Sequence, residues 1–104
     1  MGKDKLRKFR ENLTFDCFIQ PEFDEVFRCD HPLKGHWRSD FFHNDNPIVL
    51  ELGCGKGEYT VALAERNPSR NFIGIDIKGA RMWRGAQTAT DRKMPNVGFL
   101  RTRI

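Results

Sequence analysis

No apolar run in this 104-residue chain approaches the 18 residues a membrane-spanning helix needs, and no signal peptide stands at its start. Cysteine is scarce and unpatterned. Cys17, Cys29 and Cys54 are odd in number and form no Cys-x-x-Cys pair, so free thiols and a cytoplasmic setting are expected. A zinc site would have to draw on Cys17, Cys29, His31, His36 and His43, whose spacing matches no compact ligand pair, so no metal is expected. Internal repeats and low-complexity tracts are missing. So is a Gly-x-x-x-x-Gly-Lys-[Ser/Thr] loop, because Lys56 is followed by Gly57, and that excludes a P-loop. Core material is modest as well: 38% hydrophobic against 31% charged residues allows one small, marginally stable domain at most.

What is present is concentrated in Ile48-Val-Leu-Glu-Leu-Gly-Cys-Gly-Lys-Gly-Glu58. The run Ile48 to Leu52 reads as a buried parallel strand that breaks into a loop with glycine at every second position. Gly53, Gly55 and Gly57 let the backbone turn sharply and pass close to a ligand. A second apolar strand, Asn71-Phe-Ile-Gly-Ile-Asp76, ends on a carboxylate. A carboxylate at that point, roughly 20 residues past a glycine loop, is placed to grip two ribose hydroxyls. The chain therefore reads as the holder of an adenosine-containing ligand.

Glycine spacing bears on which ligand. Dinucleotide loops run Gly-x-Gly-x-x-Gly and face a pyrophosphate with a helix N-terminus. Here the spacing is Gly-x-Gly-x-Gly, with Glu51 two residues before the first glycine. That carboxylate repels a pyrophosphate and suits a cationic ligand. S-adenosylmethionine, with its sulfonium and α-ammonium groups and no phosphate, fits best. A nucleotide, or a glycine turn that only lets helix and strand pack closely, remain the alternatives.

The chain alternates β and α from Pro47 onward. Strands are expected at 48–52, 71–76 and 97–101, with helices at about 57–67 and 79–91. The first helix is read with Tyr59, Ala62 and Leu63 on one face and Pro68 as its stop. The second is read with Ala80, Trp83, Ala86, Gln87 and Thr90 on one face. The expected fold is α/β, the first half of a Rossmann-like sheet with about three parallel strands and crossover helices. Before it lies a basic arm and aromatic-rich segment, residues 1–46, ahead of a ligand-binding unit at 47–104. Residues 1–11 read as a flexible arm or frayed helix. The aromatics that follow (Phe15, Phe18, Phe23, Phe27, Trp37, Phe41 and Phe42) read as loop and short helix over the sheet edge. Strand 48–52 is expected to leave its edge and apolar face exposed in so short a chain.

Charge comes in blocks. Residues 1–10 carry a local +4, residues 11–77 a local −6 and residues 78–104 a local +6, for a net +4. Basic ends flanking an acidic middle suggest a polyanion partner met at the periphery; ordinary solvated helix faces are the alternative.

The loop Leu50-Glu-Leu-Gly-Cys-Gly-Lys-Gly-Glu-Tyr-Thr60 resembles the bacterial tRNA (guanine-N7)-methyltransferases, class I S-adenosylmethionine-dependent enzymes. So do Asn71-Phe-Ile-Gly-Ile-Asp-Ile-Lys78, Pro95-Asn-Val97, Gly35-His-Trp37, Phe41-Phe42 and Asn44-Asp-Asn-Pro47. The glycine loop alone indicates only a class I methyltransferase; the Asn-Pro approach and the second strand narrow the family. Family enzymes are roughly twice this length, so the resemblance implies an N-terminal half. It implies a cofactor site of Glu51, Gly53, Gly55, Gly57, Asp76 and Ile77, with Arg103 where the family has an adenine-side Asp or Asn. It implies tRNA as partner, with Lys3, Lys5, Arg7, Lys8, Arg81 and Arg84 as phosphate contacts, no membrane, and a monomer. The family's catalytic Asp, in an Asp-Pro-Trp-Pro-like segment, would lie beyond Ile104, so no catalytic residue is assigned and the chain alone is expected to be inactive. The other readings are a class I methyltransferase portion with a different substrate, and a non-catalytic RNA- or cofactor-binding module.

Overall fold

Apolar runs bounded by turn residues form strands here at the residues expected of them. The structure, a computed structural model, describes residues 2–21 and 31–103. Strands β2 (Ile48–Leu52), β3 (Asn71–Asp76) and β4 (Val97–Arg101) lie parallel, with Ile48 opposite Asn71 and Phe72 opposite Val97. A fourth strand, β1 (Phe18–Ile19), pairs parallel with β4 through Phe18 opposite Phe99. The sheet order is β1-β4-β3-β2. About three strands were expected, and four are found among the described residues. At two residues, β1 is too short to show an alternating pattern, and only its partner strand defines it.

Parallel neighbours need crossovers, and two helices supply them. These are α2 (Glu58–Arg66) between β2 and β3, and α3 (Gly79–Asp91) between β3 and β4. The burial of both helices departs from the sequence reading. Helix α2 buries Thr60, Val61 and Ala64, whereas Tyr59 is 58% exposed and Ala62 is also exposed. Helix α3 buries Gly79, Met82, Gly85, Ala86 and Ala89, leaving Trp83 and Gln87 half-buried and Thr90 exposed. Of the residues read onto those faces, Ala86 is buried and Leu63 packs half-buried against the core; Val61 and Met82 fill the sheet side, and Gly85 lets the backbone of α3 come close to the glycine loop.

Two packed layers result. On the helix side, Phe99 is fully buried with Phe18, Val61, Ala64, Phe72, Met82, Ala86 and Val97. On the other face, Ile73 and Ile75 of β3 meet Phe42, with Trp37, Phe41, Ile48 and Leu100 around them. Trp37–Phe42 is one π-helical turn, and a Cβ added to Gly98 would come within 2.6 Å of the Phe41 ring. Trp37, Phe41 and Phe42 of the aromatic segment therefore cover a face of the sheet, while Phe18 lies in the edge strand β1; Phe23 and Phe27 lie outside the described residues. Burial on both faces explains why β3 is apolar from Phe72 to Ile75. β2, at the sheet edge, leaves Leu50 and Leu52 more than half exposed.

Where residues 1–11 were expected to be a flexible arm or frayed helix, a docked helix, α1 (Gly2–Asn12), is found. Its side chains explain the docking. Glu11 accepts a hydrogen bond from Trp83 Nε1, and buried Asn12 donates through Nδ2 to Gly79 O at 3.0 Å. Arg7 and Lys8 place their charges 5.5 and 5.1 Å from the Trp83 ring. Asparagines fix the remaining joints. Asn71 and Asn44 exchange side-chain hydrogen bonds where the chain approaches β2, and Asn96 Nδ2 donates to the carbonyls of Ala64, Asn67 and Arg70 at the end of α2.

Candidate functional site

The carboxyl ends of β2 and β3 meet at the glycine loop. Gly53 N and Cys54 N both donate to Ile75 O, at 2.7 and 3.1 Å, which ties the loop to the next strand. Asp76 completes the tie. Its Oδ2 accepts from Gly55 N at 3.0 Å, and its Oδ1 accepts from Ile77 N and Lys78 N at 2.7 and 3.2 Å. Burial by itself would raise the Asp76 carboxyl. The N–H groups of Lys78, Gly55 and Ile77, helped by the Arg81 charge, outweigh it and hold the carboxyl below its ordinary value. Asp76 is therefore an anion at neutral pH that keeps lone pairs for further donors.

The three loop glycines all have φ in the left-handed region, at 74°, 57° and 75° for Gly53, Gly55 and Gly57, where a Cβ is strained. Their surroundings differ. An added Cβ at Gly53 meets nothing within 4 Å, and one at Gly55 meets only the Arg81 side chain at 3.8 Å. At Gly57 it would come within 2.5 Å of the Phe99 ring and 3.3 Å of Gly85 Cα. Gly85 N donates to Lys56 O at 2.9 Å, so loop and helix α3 touch backbone to backbone.

Glu51 is half-buried on β2, and its Oε2 accepts from the Thr60 hydroxyl at 2.5 Å. Thr60 was not singled out in the sequence, although a hydroxyl at the first turn of a helix beside a strand-end carboxylate is the signal that could have marked it. Cys54 is buried with its sulfur over Gly74. Burial, then the charges of Asp76 and Glu51, push its thiol up to about 12, so it stays protonated and is no nucleophile. Ile77 is exposed beside Asp76, and Arg101 at the end of β4 donates through Nε to Ile77 O at 3.0 Å. Arg103 is exposed two residues past β4.

Glu51, Gly53, Gly55, Asp76 and Ile77 thus share one end of the sheet, Arg103 follows the neighbouring strand, and Gly57 lies beneath, inside the core. The arrangement offers two carboxylates around an open backbone turn. Of the basic residues, Lys5, Lys8, Arg81 and Arg84 line a common cavity, and Arg7 lies over Trp83 nearby. The side chain of Lys3 lies outside the described residues. Among the described residues, no three His, Cys, Asp or Glu side chains converge to hold a metal, and no helix is long and apolar enough to cross a membrane. Cys29, one of the candidate metal ligands weighed in the sequence, lies outside the described residues.

An open parallel sheet with a glycine loop after one strand and a carboxylate at the end of the next is a Rossmann-like arrangement, with its site at the carboxyl ends of the strands. The family described as "Putative methyltransferase" matches residues 45–103. The chain belongs to that methyltransferase family. It is 61% identical over 103 residues to a tRNA (guanine-N(7)-)-methyltransferase of Christiangramia forsetii, covering 99% of this chain and 46% of the relative. A protein of the same name from Bacteroides fragilis is 51% identical over 104 residues, 100% of this chain and 41% of its own. Another, from Porphyromonas gingivalis, is 68% identical over 73 residues, 70% of this chain and 30% of its own. The chain spans less than half the length of these curated relatives.

Proposed function

We propose that the protein carrying this chain is an S-adenosylmethionine-dependent tRNA (guanine-N7)-methyltransferase, and that this chain is its cofactor-binding portion. One observation carries the reading: two carboxylates, Glu51 and Asp76, flank a loop whose Gly53 faces open space. A donor-rich, cationic adenosine derivative suits that set, and a pyrophosphate does not. The names of the relatives supply the acceptor base.

The residues fit the cofactor in chemical kind. Asp76, kept ionised by three backbone donors, would accept the ribose hydroxyls. Glu51, held by Thr60 through one oxygen, would face the cationic end. Gly53 and Gly55 would line the methionine pocket, with Gly57 setting the loop's height above the core. Ile77 would pack on the adenine, and Arg103 would border it. Bound there, S-adenosylmethionine supplies an electrophilic methyl group on a sulfonium. Guanine N7 carries a lone pair and no proton, so no strong base is needed to create the nucleophile. Positioning and electrostatics therefore dominate the catalysis asked of the protein. None of this chain's residues is given the role of catalytic residue.

Lys3, Lys5, Arg7, Lys8, Arg81 and Arg84 would contact tRNA phosphates, which adds affinity without reading sequence. The reading carries a cytoplasmic location and a monomer. Its test is direct. The full natural protein is incubated with labelled S-adenosylmethionine and unmodified tRNA transcripts, and the digested RNA is analysed for 7-methylguanosine. That product is expected; a methyl group on another base, or on no RNA, would overturn the reading.

A further inference from the structure

Side chains alternate along β2, so Glu51 points to the same face as Val49, which packs into the helix-covered core. Helix α2 covers that face with Val61 and Ala64. The same inward stripe begins one residue earlier, at Thr60, which is 1% exposed. A hydroxyl has one proton to give, and a helical threonine commonly gives it to a carbonyl three or four residues back. Here those carbonyls, of Gly57 and Lys56, accept from Val61 N at 3.1 Å and from Gly85 N at 2.9 Å. The Thr60 proton goes across to the strand instead, to Glu51 Oε2 at 2.5 Å. Glu51 itself is half-buried on an edge strand, two residues before the open turn at Gly53. A buried donor on a helix turn thus fixes one carboxylate oxygen and leaves the other for a ligand.

We propose that Thr60 is a positioning residue for Glu51, and that the pair selects a positively charged adenosine ligand over an uncharged adenosine thioether. This role rests on the S-adenosylmethionine reading and adds to it the group that aims the carboxylate. A glutamate on an edge strand has several side-chain bonds free to turn, and ordering them when a ligand binds costs affinity. Thr60 orders them beforehand. The benefit is realised only by a ligand with a positive charge for the carboxylate to meet, here the sulfonium and α-ammonium end of the cofactor. A neutral thioether such as 5′-methylthioadenosine keeps the adenosine, and with it the contacts offered by Asp76 and Ile77, but presents nothing to Glu51. Thr60 therefore acts on the charged end of the ligand alone.

The test measures dissociation constants for S-adenosylmethionine and for 5′-methylthioadenosine in the full natural protein. Wild type is set beside Thr60→Val, Thr60→Ser, Glu51→Ala and the double variant Thr60→Val/Glu51→Ala. Thr60→Val keeps the shape of the side chain and removes the donor. It is expected to weaken S-adenosylmethionine about tenfold and to leave 5′-methylthioadenosine within about twofold. Thr60→Ser, which keeps the hydroxyl, should bind both ligands as the wild type does. Glu51→Ala should show the same ligand contrast from the strand side, and adding Thr60→Val to it should change nothing further, because no carboxylate is left to aim. Equal losses for the two ligands in Thr60→Val would mean a structural role only and would overturn the proposal. So would a Thr60→Ser variant as weak as Thr60→Val, a Thr60→Val effect that persists beside Glu51→Ala, or a Glu51→Ala variant without the contrast. Wild-type protein that binds no S-adenosylmethionine would count against the cofactor reading itself, whereas wild-type binding that Thr60→Val leaves unchanged would sink the positioning role alone.

Discussion

Gly53 and Gly57 share a backbone conformation, at φ 74° and 75°, and differ in almost everything around it. Gly53 is exposed and faces open space; Gly57 is buried under Phe99 and against Gly85. One glycine borders open space, and the other lets the loop sit on the helix. The even spacing of the motif conceals this division. A glycine in a binding motif signals close approach, but the fold decides whether the approach is to a ligand or to the protein's own core.

The buried half should dominate stability. Phe99→Ala removes the ring that contacts the loop and the helix, and is expected to cost about 3–5 kcal/mol in denaturant unfolding of the full natural protein. Gly57→Ala adds a strained φ and an overlap with that ring, together about 2–4 kcal/mol. Combining Gly57→Ala with Phe99→Leu should recover part of the loss, because the smaller side chain makes room. Costs that simply add would break the proposed link between the two residues.

The open half should show the opposite balance. Gly53→Ala is strained in the same way but meets no neighbour, so about 1–2 kcal/mol of stability is expected to go. Its cofactor affinity should fall at least about tenfold, since the new methyl enters the ligand's space. If Gly53→Ala binds cofactor normally while Gly57→Ala does not, the division is drawn the wrong way round.

A smaller effect concerns acid. The Asp76 carboxyl is held below its ordinary value in the folded chain, so the stabilisation it gives is present above the unfolded carboxylate pKa of about 4. It is lost as pH falls through the lower folded value. Asp76→Asn should therefore flatten the acid dependence of the unfolding midpoint below about pH 4. An unchanged acid limb would show that the loop's N–H groups do not favour the anion.

Strands were legible as plain apolar runs, which β3 owes to burial on both faces, whereas edge strand β2 is apolar with none of its residues fully buried. Ile48–Leu52, Asn71–Asp76 and Val97–Arg101 all lie where the sequence puts them. Helix α3 was also placed at its observed bounds, yet the face read for it, with Ala80, Trp83, Ala86, Gln87 and Thr90, holds only one of its buried residues, Ala86. Trp83 is half-buried under α1, a helix whose docking depends on Glu11 and Asn12, polar residues that carry no apolar period. The two-residue β1 gave no signal either. The candidate site was legible in its glycines and in Asp76. The Thr60 support for Glu51 arises only when separate elements meet.

The most direct measurement is calorimetric titration of the full natural protein with S-adenosylmethionine, wild type beside Asp76→Ala. Saturable binding by the wild type, weakened at least about tenfold in a variant that stays folded, is the expected result and matches the loss of charge-assisted hydrogen bonds. Equal affinity in the two proteins, or no binding by the wild type, would contradict a cofactor site at the carboxyl ends of β2 and β3.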